Sequence, residues 1–182
     1  IGHVGFSSHG PLELLLEAIA SDAFDYINLH WYYIRQDNGP ALTAARERDM
    51  GVFLISPTDK GGHLHSPSAR LLELCEPLPP IVFNDLFCLS DPRVHTISVG
   101  AARPSDLDRH LQALELLEQA PELVGPIAQR LQQGLSERLG EDWLQSWQEG
   151  LPSWNDTPGD INLPVLLWLH TLLQGWDLES FA

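Results

Sequence analysis

Four times in the first 120 residues, a short β-rich apolar run ends in a polar loop and gives way to leucines or alanines at helical spacing. This alternation is the pattern of a parallel sheet whose strands are joined by helical crossovers. "HVGFSS" (3–8) precedes "PLELLLEAIA" (11–20), which carries Pro at its head. "FDYINLHWYY" (24–33) is followed, after the turn signal "QDNGP", by "ALTAARERDM" (41–50), with Gly51 expected to close that helix as its C′ residue. "VFLIS" (52–56) opens a third unit, whose helical return is split between "SARLLELCE" and "IVFNDLFCLS" around the "PLPP" break. "VHTISV" (94–99) begins a fourth, and the following helix is expected to start on Ser105 as N-cap, with Asp108 three residues on. Four units of about 25 to 30 residues make half of an eight-stranded barrel. A doubly wound open sheet is the rival, although no GxGxxG follows any strand.

Beyond residue 120 the strand signal stops and the chain reads as acidic amphipathic helices. The expected organisation is therefore a half-barrel over residues 1–120 and an all-helical extension over 121–182. Charge supports two parts, with a net −6 over residues 1–110 and −9 over 111–182. Five of the six Trp (143, 147, 154, 168 and 176) lie in the extension and are expected to fill its core or its seam with the barrel.

A total charge of −15 repels phosphate backbones and anionic bilayers, so neither nucleic acid nor a membrane is an expected partner. Two cysteines without a CxxC pair support neither a disulfide framework nor a thiolate metal site, and a cytoplasmic location is expected. The longest apolar run, "LPVLLWLHTLL", falls short of the ~18 residues of a membrane span. The chain starts on Ile1, close to a strand-like run, which reads as a fragment whose upstream part is missing.

In parallel α/β folds ligands lie at the carboxyl ends of the strands. Those ends read Ser7-Ser8-His9, Asn28-Leu29-His30-Trp31, Ser56-Pro57-Thr58-Asp59-Lys60-Gly61-Gly62 and Gly100-Ala101-Ala102-Arg103-Pro104-Ser105, and every one is polar. The loop after the third strand is expected to wall a binding cleft, its glycines permitting close approach and Lys60 offering a phosphate partner. "GAARPSD" adds backbone N–H groups and a cation at a helix start, which suits an anion. His63 and His65 form an HxH pair without a third ligand nearby, so no metal site is expected. His9, His30, Asp59 and Asp85 are candidate acids or bases with no partner visible in the sequence.

At these strand ends the chain resembles the C-terminal half of the aldo/keto reductases, (β/α)8 barrels that reduce carbonyls with NADPH, and in particular a bacterial branch of predicted oxidoreductases with a helical C-terminal extension. The resemblance spans most of the chain: "IGHVGFSSHG" is similar to the family's fifth strand, "FDYINLHWYY" to its sixth, "GVFLISPTDKGG" to its seventh and "VHTISVGAARPSDLDRHL" to its eighth strand and cofactor loop. It implies nicotinamide contacts at Ser7, Ser8 and Asn28, with Trp31 near the nicotinamide. It implies a pyrophosphate wall from Ser56 and Pro57 through Lys60, Gly61 and Gly62, and an adenosine-phosphate loop from Gly100 and Ala101 through Arg103 and Asp106 to Arg109.

The cofactor implied is NADP or NAD. Asp106 stands where it would repel a 2′-phosphate, with Arg103 able to compensate. Ile55 replaces the aromatic that stacks on the nicotinamide in many members, and Arg109-His110 replaces the usual Glu-Asn pair near adenine. "LPSWNDTPGDINLP" has no cysteine, so the iron–sulfur cluster of related proteins is not expected. The family's catalytic tetrad belongs to its first four units, and no residue here is assigned to it. The expectation is an oxidoreductase fragment, inactive alone, whose parent enzyme acts on a small-molecule carbonyl substrate, and whose open barrel is covered by an N-terminal half-barrel or a second copy. The alternative is a noncatalytic binding or assembly protein on the same scaffold.

Overall fold

The computed structural model describes residues 2–58 and 63–179. The protein is α/β, with one four-stranded parallel sheet and, among the described residues, eight α-helices. The strands are β1 (Gly5–Ser7), β2 (Tyr26–Leu29), β3 (Gly51–Ile55) and β4 (Thr96–Ser98), in the spatial order β1-β2-β3-β4. Strand order follows chain order without the reversal that marks a doubly wound sheet.

Two compact units are present, one formed by residues 1–65 and 81–124 and the other by 66–80 and 125–182. The division is not the single cut at residue 120 that composition suggests, because the segment Ser66–Pro80 clusters with the C-terminal helices.

In the first unit, α1 (Leu12–Ala20) and α2 (Gly39–Glu47) pack on the sheet face formed by Phe6, Ile27, Leu29, Val52, Leu54 and Ile97. Ile27, Leu29, Val52 and Leu54 are fully buried there, with Leu15, Ile19 and Leu42 from the helices. Full burial of each such aliphatic side chain contributes about 1.5–3 kcal/mol. The α2–β3 turn differs from expectation. Asp49 takes the left-handed conformation (φ 57°) and Met50 N–H donates to the Ala45 carbonyl at 2.9 Å, so Gly51 is free to begin the strand. Asp tolerates that conformation better than most residues, which lets it do the work expected of glycine.

Also in this unit are α4 (Pro80–Leu89), all but its first residue, and α5 (Asp108–Glu115). Every residue of α4 is buried or half-buried, including Asn84 and Asp85. Arg93 joins Asp91 through two side-chain hydrogen bonds and lies over the Trp31 ring, 5.5 Å from its centroid.

The second unit holds α3 (Ala69–Cys75), α7 (Glu141–Ser146), α8 (Leu163–Trp176) and most of α6 (Ala120–Leu139). Ser68 caps α3 by accepting from Leu71 N–H at 3.0 Å while its hydroxyl donates to the Trp176 carbonyl at 2.6 Å. Gly175 sits where α8 meets α6, and a Cβ there would come within 2.1 Å of Leu135 Cδ2. The tryptophans are less buried than expected: Trp176 is buried, its indole N–H donating to the Leu131 carbonyl, but Trp143, Trp147 and Trp168 are half-buried and Trp154 is exposed. Among the described residues no helix is long and apolar enough to cross a membrane.

Candidate functional site

Because all four strands are parallel, their carboxyl ends lie along one edge of the sheet. A cleft of about 500 Å³ opens at the ends of β3 and β4, lined by Ile55, Ser56, Thr58, His65 and the segment Ser98–Ala102, together with Asp106. Four of the expected residues (Ser56, Gly100, Ala101 and Asp106) therefore share one site. Ser7 and Asn28 do not line it. They are register partners on β1 and β2 and project from the same sheet face as Ile55 and Ser98. Ser8 is half-buried, its hydroxyl accepting from Gly10 N–H at 2.9 Å. Lys60, Gly61 and Gly62 lie outside the described residues, as does Asp59.

Ser56 adopts a left-handed backbone (φ 52°), a conformation that costs a non-glycine residue of order 1–2 kcal/mol and that clusters at functional sites. It turns the chain out of β3 directly at the cleft. Pro57 is buried, and its carbonyl accepts from Asn84 Nδ2 at 2.8 Å, while Asn84 Oδ1 accepts from Tyr33 N–H at 3.1 Å. One buried amide on α4 thus ties the exit of β2 to the exit of β3.

The β4 exit departs from expectation in a way that bears on ligand binding. Ser105 does not cap the following helix. The Asp106 carboxylate accepts instead from the N–H groups of Ala102 and Arg103, both at 3.0 Å, and from the Arg103 guanidinium at 3.2 Å. The Arg103 N–H first, then that of Ala102 and the Arg103 charge, hold the Asp106 carboxyl below its usual range. The anion position read from "GAARPSD" is thus filled by a side chain of the loop itself. Gly100 has no positive φ, and among the described residues no atom beyond its chain neighbours lies within 4 Å of the position a Cβ would take, so none of them requires glycine there.

Asp85, expected without a partner, has one: its Oδ2 lies 2.5 Å from Nδ1 of His110 on α5. Asp85 is fully buried and His110 is 7 % exposed. Burial pushes the Asp85 carboxyl up, against the hydrogen bond and charge of His110 and the charge of His65. His65 stands edge-on to the His110 ring, with centroids 6.1 Å apart. The resemblance lays His110 near adenine, but burial against Asp85 makes it part of the support behind the cleft. His9 and His30 pair with each other, ring centroids 4.9 Å apart, at the ends of β1 and β2. Trp31 is buried and stacked on Phe87, so it is not a wall of the cleft. Among the described residues no group of three or more His, Cys, Asp or Glu is arranged to hold a metal. Burial pushes the Cys75 thiol up to about 12 and Cys88 well above its ordinary value, so neither supplies a thiolate.

No protein-family model matches the chain, and no curated protein matches it.

Proposed function

We propose that the chain is the cofactor-binding part of an NAD(P)-dependent oxidoreductase of the aldo/keto reductase kind, and that its sheet is the C-terminal half of a (β/α)8 barrel. One observation carries the reading: four residues on which the resemblance lays the cofactor, from two loops more than 40 residues apart, line a single cleft at the carboxyl ends of adjacent strands. The sequential strand order supports a singly wound barrel segment over a doubly wound sheet. The open space above Gly100 suits the close approach of a ligand backbone or phosphate, since glycine there serves no internal need.

In this reading Ser56 and Ser98 offer hydroxyls to the dinucleotide, Ile55 gives it an apolar surface, and Ser7 and Asn28 serve the nicotinamide end. The bound cofactor supplies the hydride that passes to or from a carbonyl carbon. Arg103 and two backbone N–H groups answer the Asp106 charge, which leaves the Arg103 guanidinium engaged there rather than turned to an added 2′-phosphate, so NADH is favoured over NADPH. No general acid is assigned in this chain, so turnover requires the N-terminal half-barrel; a second copy would cover the open sheet without supplying that acid.

The test is a titration of the folded chain with NADH and NADPH, followed through the emission of the nicotinamide rather than through buried Trp31. Saturable enhancement is expected for NADH, weakened at least roughly tenfold by Gly100→Val, whose side chain fills the space above residue 100. Failure of both nucleotides to bind a demonstrably folded sample overturns the reading. It would favour a noncatalytic binding or assembly module, a role to which an anion position filled by Asp106 is suited.

A further inference from the structure

Behind one wall of the cleft lies a polar group that the dinucleotide reading leaves without a task. Asp85 and His110 are held together from two different helices, yet among the described residues Oδ1 of Asp85 and Nε2 of His110 have no hydrogen-bond partner although both are buried. Such atoms lose their hydration without a replacement bond, and in native proteins they call for an explanation. In front of the pair is His65, exposed, lining the cleft and set edge-on to the His110 ring.

We propose that His65 is a ligand-contacting residue of the cleft, binding an anionic oxygen of a phosphate-like group in its imidazolium form, with His110 and Asp85 as the positioning pair that holds it and supplies counter-charge. The rest of the lining favours this assignment. Ser56, Thr58 and Ser98 offer hydroxyls, and the stretch from Val99 to Ala102 adds a backbone wall. The acid that shares this lining with His65, Asp106, has its charge answered by two N–H groups and Arg103. On the protein side His65 faces His110 on α5 and Asp85 on α4, close enough to Asp85 for their charges to interact. Among the described residues His65 is therefore the basic side chain of this lining, backed by a buried carboxylate, while the acid of the same lining is already paired.

The ligand chemistry is a tetrahedral oxyanion, which either a free anion or a nucleotide diphosphate supplies. The second source rests on the function proposed above; the first does not. Sulfate and NADH are suitable probes because the charges on sulfate and on the diphosphate stay fixed between pH 5.5 and 8. Histidine-labelled full chain, with ring resonances assigned by single His→Gln variants, should show saturable shifts of the His65 ring with sulfate. Binding should be roughly fivefold tighter at pH 5.5 than at pH 8, since an anion that prefers the imidazolium gains affinity as the ring charges. His65→Gln, an exposed change, should abolish that pH dependence. Asp85→Asn should flatten the pH profile of sulfate affinity, and His110→Gln serves the same purpose if the first variant does not fold; a purely structural pair would leave the profile unchanged. Sulfate binding that leaves the His65 ring unmoved, or a pH dependence that survives in His65→Gln, overturns the proposal. NADH showing the same dependence identifies the diphosphate as the oxyanion, whereas sulfate binding without NADH binding upholds His65 and removes the dinucleotide.

Discussion

The two faces of the sheet are built from the same four strands and differ in almost everything else. On one face Ile27, Leu29, Val52 and Leu54 are sealed under helices. On the other, Gly5, Ser7, Tyr26, Asn28, Gly51, Phe53, Ile55, Thr96 and Ser98 are all half-buried or exposed, with Tyr26 and Phe53 leaning on each other at 5.4 Å. All-parallel sheets are ordinarily covered on both faces, and "GVFLI" reads as a strand composed for two-sided burial. The difference teaches that stability resides on the helical side, while the opposite side is free to be covered by something else. In the proposed half-barrel that side faces the barrel interior.

The largest test of this contrast is on the helical side. Asp85→Ala leaves His110 without its partner in a buried site and should cost about 3–5 kcal/mol, read by denaturant unfolding. Leu54→Ala should cost about 2–5 kcal/mol, whereas Phe53→Ala, one residue away on the other face, should cost under about 1 kcal/mol. Equal losses at 53 and 54 would mean that the second face is covered in solution, and sedimentation would then identify a second copy. A smaller effect is expected from acid. Two hydrogen bonds from Arg93 first hold the Asp91 carboxyl below its usual range. Its stabilising contribution is therefore present above the unfolded-state value near 4 and is lost as pH falls through the lower folded-state value. Asp91→Asn should lower stability at pH 7 by no more than about 1 kcal/mol and make unfolding less sensitive to pH below about 4. Gly100→Val should leave the thermal midpoint unmoved while reducing nucleotide binding, separating the cleft from the core.

The strands and their order along the chain were legible because β-branched and aromatic runs alternate with leucine-rich helical stretches over short distances. So was the gathering of Ser56 with Gly100, Ala101 and Asp106, which follows once strands are parallel. The Asp85–His110 pair was not, since its members are 25 residues apart on different helices and nothing local joins them. A signal existed in "PIVFNDLFCL", where two polar residues interrupt an otherwise apolar helix: buried Asn and Asp are rarely left without partners. Turn chemistry failed at two points for one reason. Asp49 took the place expected for Gly51, and Asp106 the place expected for Ser105, because short carboxylates fit left-handed turns and free N–H groups alike.

Asn84 joins Tyr33 and Pro57 through the two ends of one planar amide, its oxygen accepting from the first and its nitrogen donating to the second. The rim inherits its spacing from a helix in the interior rather than from the loops that compose it. Loop sequences can therefore drift, changing what the mouth recognises, without altering its width. Replacing that carboxamide by a carboxylate of the same shape reverses the polarity of one contact only, and would unhook Pro57 while leaving Tyr33 moored.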